Sequence, residues 1–301
     1  MERRASRFTR PSRIRRPRPI PLRVKPSKRA RSFSTTRWCC QRRRALSDPL
    51  VTVEEADVGT LIVRLERPHK RNALSSALKR ELAHTARVLA ERTDISAIIL
   101  AGSGGIFCAG NDISEPDSFA QDLPLAEARR HIRLGLEMCR AWEALPQLTI
   151  AAVDRFAIGG GISLALACDF RVLQTSSWLH APEVELGITY SWGTLPRLVR
   201  LVGPARAKLI AGLCRRVDAL TALEWGLCEE VVDDTMAAAL KMAAEITSKP
   251  RVAQQMVKES VNRLFDGPDT AAMEQDQVLL NMTDPDARAR QSHVLRRLRG
   301  D

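Results

Sequence analysis

Ile158-Gly159-Gly160-Gly161-Ile162-Ser163 is the stretch whose reading decides the fold. It follows an apolar run, Thr149-Ile150-Ala151-Ala152-Val153, that reads as a buried strand, and it runs into Leu164-Ala165-Leu166-Ala167, which reads as a helix. A strand, a glycine turn and a helix in that order leave unpaired N–H groups at a helix start, where the backbone favours an anion. Upstream, the run Ala97-Ile98-Ile99-Leu100 leads into a second glycine turn, Phe107-Cys108-Ala109-Gly110-Asn111-Asp112. Downstream lies an acidic turn, Ala181-Pro182-Glu183-Val184-Glu185-Leu186-Gly187.

Around these motifs the chain alternates between strand and helix patterns. Segments 50–55 and 59–66 read as a hairpin about Asp57-Val58-Gly59, and Arg67-Pro68 closes its second strand. A helix over 75–92, capped by Ser75 or Ser76, precedes a strand at 95–101 and a helix around 124–144 that Pro146 stops. Strand 149–154, helix 160–167 and strand 168–173 follow. The expected fold is therefore α/β, with stacked β-β-α units and largely parallel strands. Beyond 195 come short helices (195–202, 204–212, 219–225), a strand at 228–232, and amphipathic helices at 234–248, 251–265 and 269–298. The boundaries expected are a leader at 1–46, a core domain at 47–233 and a C-terminal helical region at 234–301.

The net charge of +12 belongs to the leader. Of the 47 basic residues, 17 lie within 1–46 beside a single acid, Glu2, so the remaining 30 basic and 34 acidic residues leave the body mildly acidic. The leader, rich in arginine and proline, has too little apolar content to build a core and is expected to be disordered. Three readings of it stay open: a mitochondrial presequence, translated sequence upstream of a natural start near Leu46-Ser47-Asp48, or a basic arm for nucleic acid. The first implies the mitochondrial matrix; without it, a cytoplasmic location is expected. No apolar stretch is long enough to span a membrane. Seven cysteines without a C-x-x-C pair, and five scattered histidines, point to neither disulfides nor a metal site.

The three motifs, with Arg67-Pro68-His69-Lys70-Arg71-Asn72-Ala73-Leu74, resemble the enoyl-CoA hydratase/isomerase (crotonase) family over about residues 50–265. The resemblance implies a crotonase-like β-β-α superhelix with a C-terminal helical layer, assembled as a homotrimer or hexamer. It implies an acyl-CoA thioester as substrate, with coenzyme A part of that substrate and no separate cofactor. The thioester's α-proton becomes acidic only when charge on the carbonyl oxygen is stabilised, and two preorganised N–H donors supply that. By the resemblance these are the amides of Asn111 and Gly160, and Glu183 moves the proton. The same carry-over puts Lys70, Arg71, Ala73, Leu74, Asp112, Ile113 and Ser114 along the coenzyme A and Ser163 at the acyl group.

One departure bears on the reaction. Family hydratases carry a first glutamate where this chain has Ser163, and Ser191 does not supply the acid that some related enzymes place eight residues after Glu183. A single carboxylate suffices for a 1,3-proton shuttle, so the expected activity is that of a 3,2-enoyl-CoA isomerase in fatty-acid or acyl-CoA degradation, with hydration as the alternative. Thr189-Tyr190-Ser191-Trp192-Gly193 also replaces the usual small-residue turn, which implies an acyl pocket of altered shape.

Rival readings are weaker. Gly102-Ser103-Gly104-Gly105 lacks a third glycine and a downstream ribose acid, so it does not read as a dinucleotide site. Gly161-Ile162-Ser163-Leu164-Ala165 imitates a nucleophile elbow, with His180 and Asp169 as partners, but places the serine inside a helix. A binding protein that has lost catalysis is the other class. Helix 75–92 mixes Lys79, Arg80, Arg87 and Arg92 with Glu81 and Glu91 and reads as a solvated face, which argues against nucleic acid.

Overall fold

A computed structural model describes residues 49–115, 124–187 and 190–264, together with the short strand 24–25 and positions 285 and 289. The rest of the leader and the helix expected over 269–298 lie outside the described residues, apart from those positions. The strands are β1 (Val24–Lys25), β2 (Val51–Asp57), β3 (Thr60–Leu65), β4 (Ala97–Gly102), β5 (Leu148–Val153), β6 (Phe156–Ile158), β7 (Phe170–Gln174), β8 (Trp178–His180), β9 (Val217–Asp218) and β10 (Glu230–Val232). The helices are α1 (Ser76–Ala90), α2 (Leu125–Glu143), α3 (Gly160–Leu166), α4 (Thr194–Ala211), α5 (Ala219–Trp225), α6 (Thr235–Thr247) and α7 (Arg251–Arg263).

Among the described residues, two sheets carry the fold. The larger has the order β1-β2-β3-β4-β5-β7-β10, antiparallel only between β2 and β3. Its middle strands are covered on both faces, as parallel sheets generally are. In β4 the side chains alternate: Ile98 and Leu100 enter a core with Leu78, Leu82 and Trp142, while Ala97, Ile99 and Ala101 meet Ala239, Ala243 and Ile246 of α6. This two-sided burial is why the sequence shows continuous apolar runs there.

The smaller sheet, β6-β8-β9, positions the site. β6 and β8 run parallel with Ala157 opposite Leu179 and Ile158 opposite His180. A further parallel bridge sets Cys108 beside Ala157. Three segments therefore lie side by side and release the three motifs from the same end, the end at which open α/β sheets collect ligands.

The expected hairpin, α1 with its Ser75 cap, α2, α3 and the helices at 219–225, 234–248 and 251–265 are all present within a few residues. Helices expected at 195–202 and 204–212 form α4, broken at Gly203 (φ 75°, ψ 169°) just before Pro204. β6, β8 and β9 were not anticipated, because each is only two or three residues long.

Candidate active site

The first two motifs are stitched together through their main chains. Cys108 N donates to Phe156 O at 3.2 Å and Ile158 N to Cys108 O at 3.0 Å. A Cβ on Gly110 would stand 2.5 Å from Ile158 O and 3.4 Å from Gly160 N, so the turns touch backbone to backbone. Gly159 has φ 50° and ψ −117°, a conformation costly for any side-chain-bearing residue, and its N–H donates to His180 O at 2.8 Å. Gly160 then opens α3; among the described residues its amide donates to no backbone carbonyl. The Leu74–Asn111 bridge pairs Leu74 with Gly110 O (2.7 Å) and Asp112 N (3.2 Å), so the Asn111 peptide faces the opposite side.

Glu183 follows β8 directly. Its Oε1 lies 3.2 Å from the position a Cβ on Gly159 would take, one residue from the Gly160 amide. Its Oε2 is buried without a hydrogen-bond partner. Burial holds its carboxyl above the ordinary glutamate value, partly offset by its own backbone amide and the nearby Tyr190 hydroxyl. That hydroxyl also lies within reach of Ala181 O (3.2 Å) and Ala211 O (3.0 Å). Residues after Glu183 form a turn rather than an extended segment, so Glu185 leaves its face and approaches His180 at 3.8 Å.

Ser163 is buried on α3, its Oγ 2.6 Å from Thr194 Oγ1 and 3.5 Å from Gly159 O. His180 is not on that hydroxyl, and Asp169 is occupied by Thr149 and by Lys258 at 2.6 Å. The hydrolase arrangement is thus not assembled. The described cysteines are free and buried, with Cys108, Cys139 and Cys168 pushed up to about 12 by desolvation. Among the described residues no cluster could hold a metal ion, and no helix is long and apolar enough to cross a membrane.

Of the residues expected along coenzyme A, Lys70, Arg71, Ile113 and Ser114 are exposed, whereas Leu74 is fully buried in the core and Ala73 is buried as well. Lys70 Nζ reaches Ser114 Oγ at 3.4 Å, Arg71 takes a left-handed conformation (φ 51°), and Ile113 is exposed. Asp112 is different: its carboxylate is spent on Arg67 (2.9 Å) and on the N–H and hydroxyl of Ser114 (3.1 and 2.6 Å). It shapes the loop. The Ala73 carbonyl likewise accepts from Arg67.

Two residues escaped the sequence reading. Asn72, fully buried at φ 55°, accepts from Arg67 N (3.0 Å) and donates to Ser103 O (3.0 Å) and Ile106 O (2.7 Å), tying together the two loops that flank the first motif. Asparagine suits the left-handed backbone there, a signal that only its place between Arg71 and Ala73 could have given. Asn72→Ala is expected to cost roughly 2–4 kcal/mol in denaturant unfolding, because several buried partners lose their bonds at once. The second is Lys79, assigned to a solvated face but only 2% exposed. Burial lowers its ammonium to about 8. Its position one turn past the Ser75 cap faces it inward.

Residues 55–295 conform to the family described as Enoyl-CoA hydratase/isomerase. The chain belongs to that family. Among curated relatives it is 36% identical over 212 residues to the short-chain-enoyl-CoA hydratase of Clostridium acetobutylicum, covering 69% of this chain and 80% of that protein. The crotonyl-CoA hydratase of Syntrophomonas wolfei is 35% identical over 211 residues, with 69% and 80% covered. Among solved structures, the enoyl-CoA hydratase of Bacillus anthracis superposes with a TM-score of 0.76 at 30% identity, over 84% of this chain and 97% of its own. The α/β crotonase fold and the character of a crotonase-family acyl-CoA enzyme follow.

Proposed function

We propose that this enzyme adds water across the double bond of a 2-enoyl-CoA, with Glu183 as its single proton-transfer residue. The supporting observation is the convergence of the Gly159–Gly161 turn, the Gly110-Asn111 turn and the Glu183 carboxylate at one end of the small sheet. In this reading the thioester oxygen accepts from the amides of Asn111 and Gly160. Negative charge that builds there when water attacks the β-carbon meets fixed dipoles and the start of α3. Water docks on the hydroxyls of Ser163 and Thr194, and Glu183 accepts its proton and delivers one to the α-carbon. The relatives named as hydratases support this outcome over isomerisation.

A second reading rests on Ser163. Where no second carboxylate orients the water, Glu183 can instead carry a proton between the α- and γ-carbons, which shifts the double bond. The two separate by product. Full-length protein given crotonyl-CoA should consume absorbance of the conjugated thioester and yield a 3-hydroxyacyl-CoA. Given a 3-enoyl-CoA, it should act slowly. Rapid formation of 2-enoyl-CoA from the 3-enoyl substrate, without hydration of crotonyl-CoA, would replace the first reading with the second.

A further inference from the structure

We infer that the acyl group this enzyme accepts is short and carries a carboxylate, held by Lys79 and walled off by Trp192. The inference rests on the acyl-CoA reading above and extends it to the substrate's far end.

The argument begins with a buried cation. Lys79 Nζ donates to Asn111 Oδ1 at 2.9 Å and stands 5.3 Å from the centroid of the Trp192 ring. An ammonium has three donors, and among the described residues only this one hydrogen bond engages them. The nearby acids are committed elsewhere. Asp112 is paired with Arg67 and Ser114, and Glu115 accepts from the backbone and hydroxyl of Ser76. No carboxylate of the described residues lies within 4 Å of Lys79 Nζ. Glu115 and Asp112 act on this ammonium only from beyond contact distance and burial outweighs them, so a carboxylate in direct contact would relieve a cost the fold leaves in place.

Position makes that partner a substrate group. Asn111 is the residue whose amide is assigned to the thioester oxygen, so Lys79 sits on the side chain of the oxyanion donor. Trp192 borders the other donor: a Cβ on Gly160 would lie 2.1 Å from Trp192 Cζ3. Its indole is held in place from behind, since a Cβ on Gly135 of α2 would lie 2.0 Å from Cε2. Arg197, itself paired with Glu143 at 2.6 Å, fixes the Trp192 and Gly193 carbonyls at 2.9 and 3.1 Å. An acyl chain leaving a carbonyl bound at Gly160 therefore meets an aromatic wall within a few carbons, with a buried ammonium above its face. A long alkyl tail directed at that wall would strip the ammonium of hydration and offer it no partner in return. A terminal carboxylate two or three carbons from the thioester satisfies both groups.

Calorimetry with unreactive ligands tests this on the full-length protein. Succinyl-CoA is expected to bind about tenfold or more tightly than butyryl-CoA near neutral pH, and dodecanoyl-CoA more weakly than either. The preference should vanish in Lys79→Met, survive in Lys79→Arg, and fade as pH rises through about 8, where Lys79, which faces Glu115, Arg80 and Asp112, loses its charge. Equal or tighter binding of butyryl-CoA by the wild type overturns the inference, even if the variants fail to fold. So does a preference that Lys79→Met leaves intact. A protein that binds none of these ligands, free coenzyme A included, overturns the acyl-CoA reading and this inference with it.

Discussion

Glu183→Gln is expected to reduce turnover by roughly 10²–10⁴-fold while leaving the dissociation constant for coenzyme A within about twofold of wild type. The amide keeps the shape and most contacts of the carboxylate but cannot accept and return a proton, so the loss should fall on kcat and leave KM nearly unchanged. The same substitution should raise thermal stability at neutral pH, and the sign follows from the burial of Glu183. Its carboxyl is held above the ordinary value by desolvation, so the folded chain binds this proton more tightly than the unfolded chain does. In acid, where both states are protonated, the group costs nothing. As pH rises through the ordinary carboxylate range the unfolded state ionises first, stability falls, and the loss persists above the folded-state value. Glutamine removes that penalty. A higher Tm than wild type at neutral pH, with the difference shrinking in acid, is the expected pair of results. A variant with near-normal turnover would show that some other group moves the proton. The residue would then be an isolated cost to the fold with no function to set against it.

How much of this was legible in the sequence depends on the range of the interaction concerned. β4 and β5 are buried on both faces, so their apolar runs announce them without reference to neighbours. α1 carries its own start signal, the Ser75 hydroxyl accepting from Leu78 N at 3.2 Å. β6 and β8 are the opposite case. Three residues each, they are strands because Phe156–Ile158 and Trp178–His180 find one another and Cys108 across the fold, and no local periodicity encodes that. In the second motif Gly159 was readable because its backbone, at φ 50° and ψ −117°, is costly for any residue with a side chain.

Lys79 shows where local reading fails. In a segment with Arg80, Arg87 and Arg92 it looks like one more solvated cation, and its three neighbours in type obscure it. The helical position decides otherwise: Leu78, Leu82 and Ala86 point into the core, and Lys79 follows Leu78 onto the inward side, beside Asn111. Asn111 itself was read only for its amide, although its side chain receives the buried ammonium. Trp192 drew notice in the sequence because it stands in a turn where the resemblance leads one to expect small residues. What could not be read was where the indole goes, since the slot between Gly135 and Gly160 joins residues from two helices.

Gly110→Ala is expected to destabilise the fold by roughly 3 kcal/mol or more and to reduce activity by at least about 10²-fold in whatever fraction remains folded. Gly110 has φ 90°, so alanine there is strained before any contact is considered. The added methyl would then meet Ile158 O at 2.5 Å, a backbone atom that cannot swing aside as a side-chain tip could. Relief requires the first turn to lift away from Ile158-Gly159-Gly160. That movement carries the Asn111 amide out of line with the Gly160 amide, and a misplaced oxyanion donor is worth orders of magnitude in rate. Gly105→Ala is the matched control: its φ of 68° imposes similar backbone strain, but nothing lies within 4 Å of the new methyl. The control should lose about 1–2 kcal/mol and keep its kcat. Chemical denaturation and kcat/KM on crotonyl-CoA for the two variants would separate strain from collision. If Gly110→Ala behaved as Gly105→Ala does, the contact between the two turns would not be what sets the oxyanion geometry.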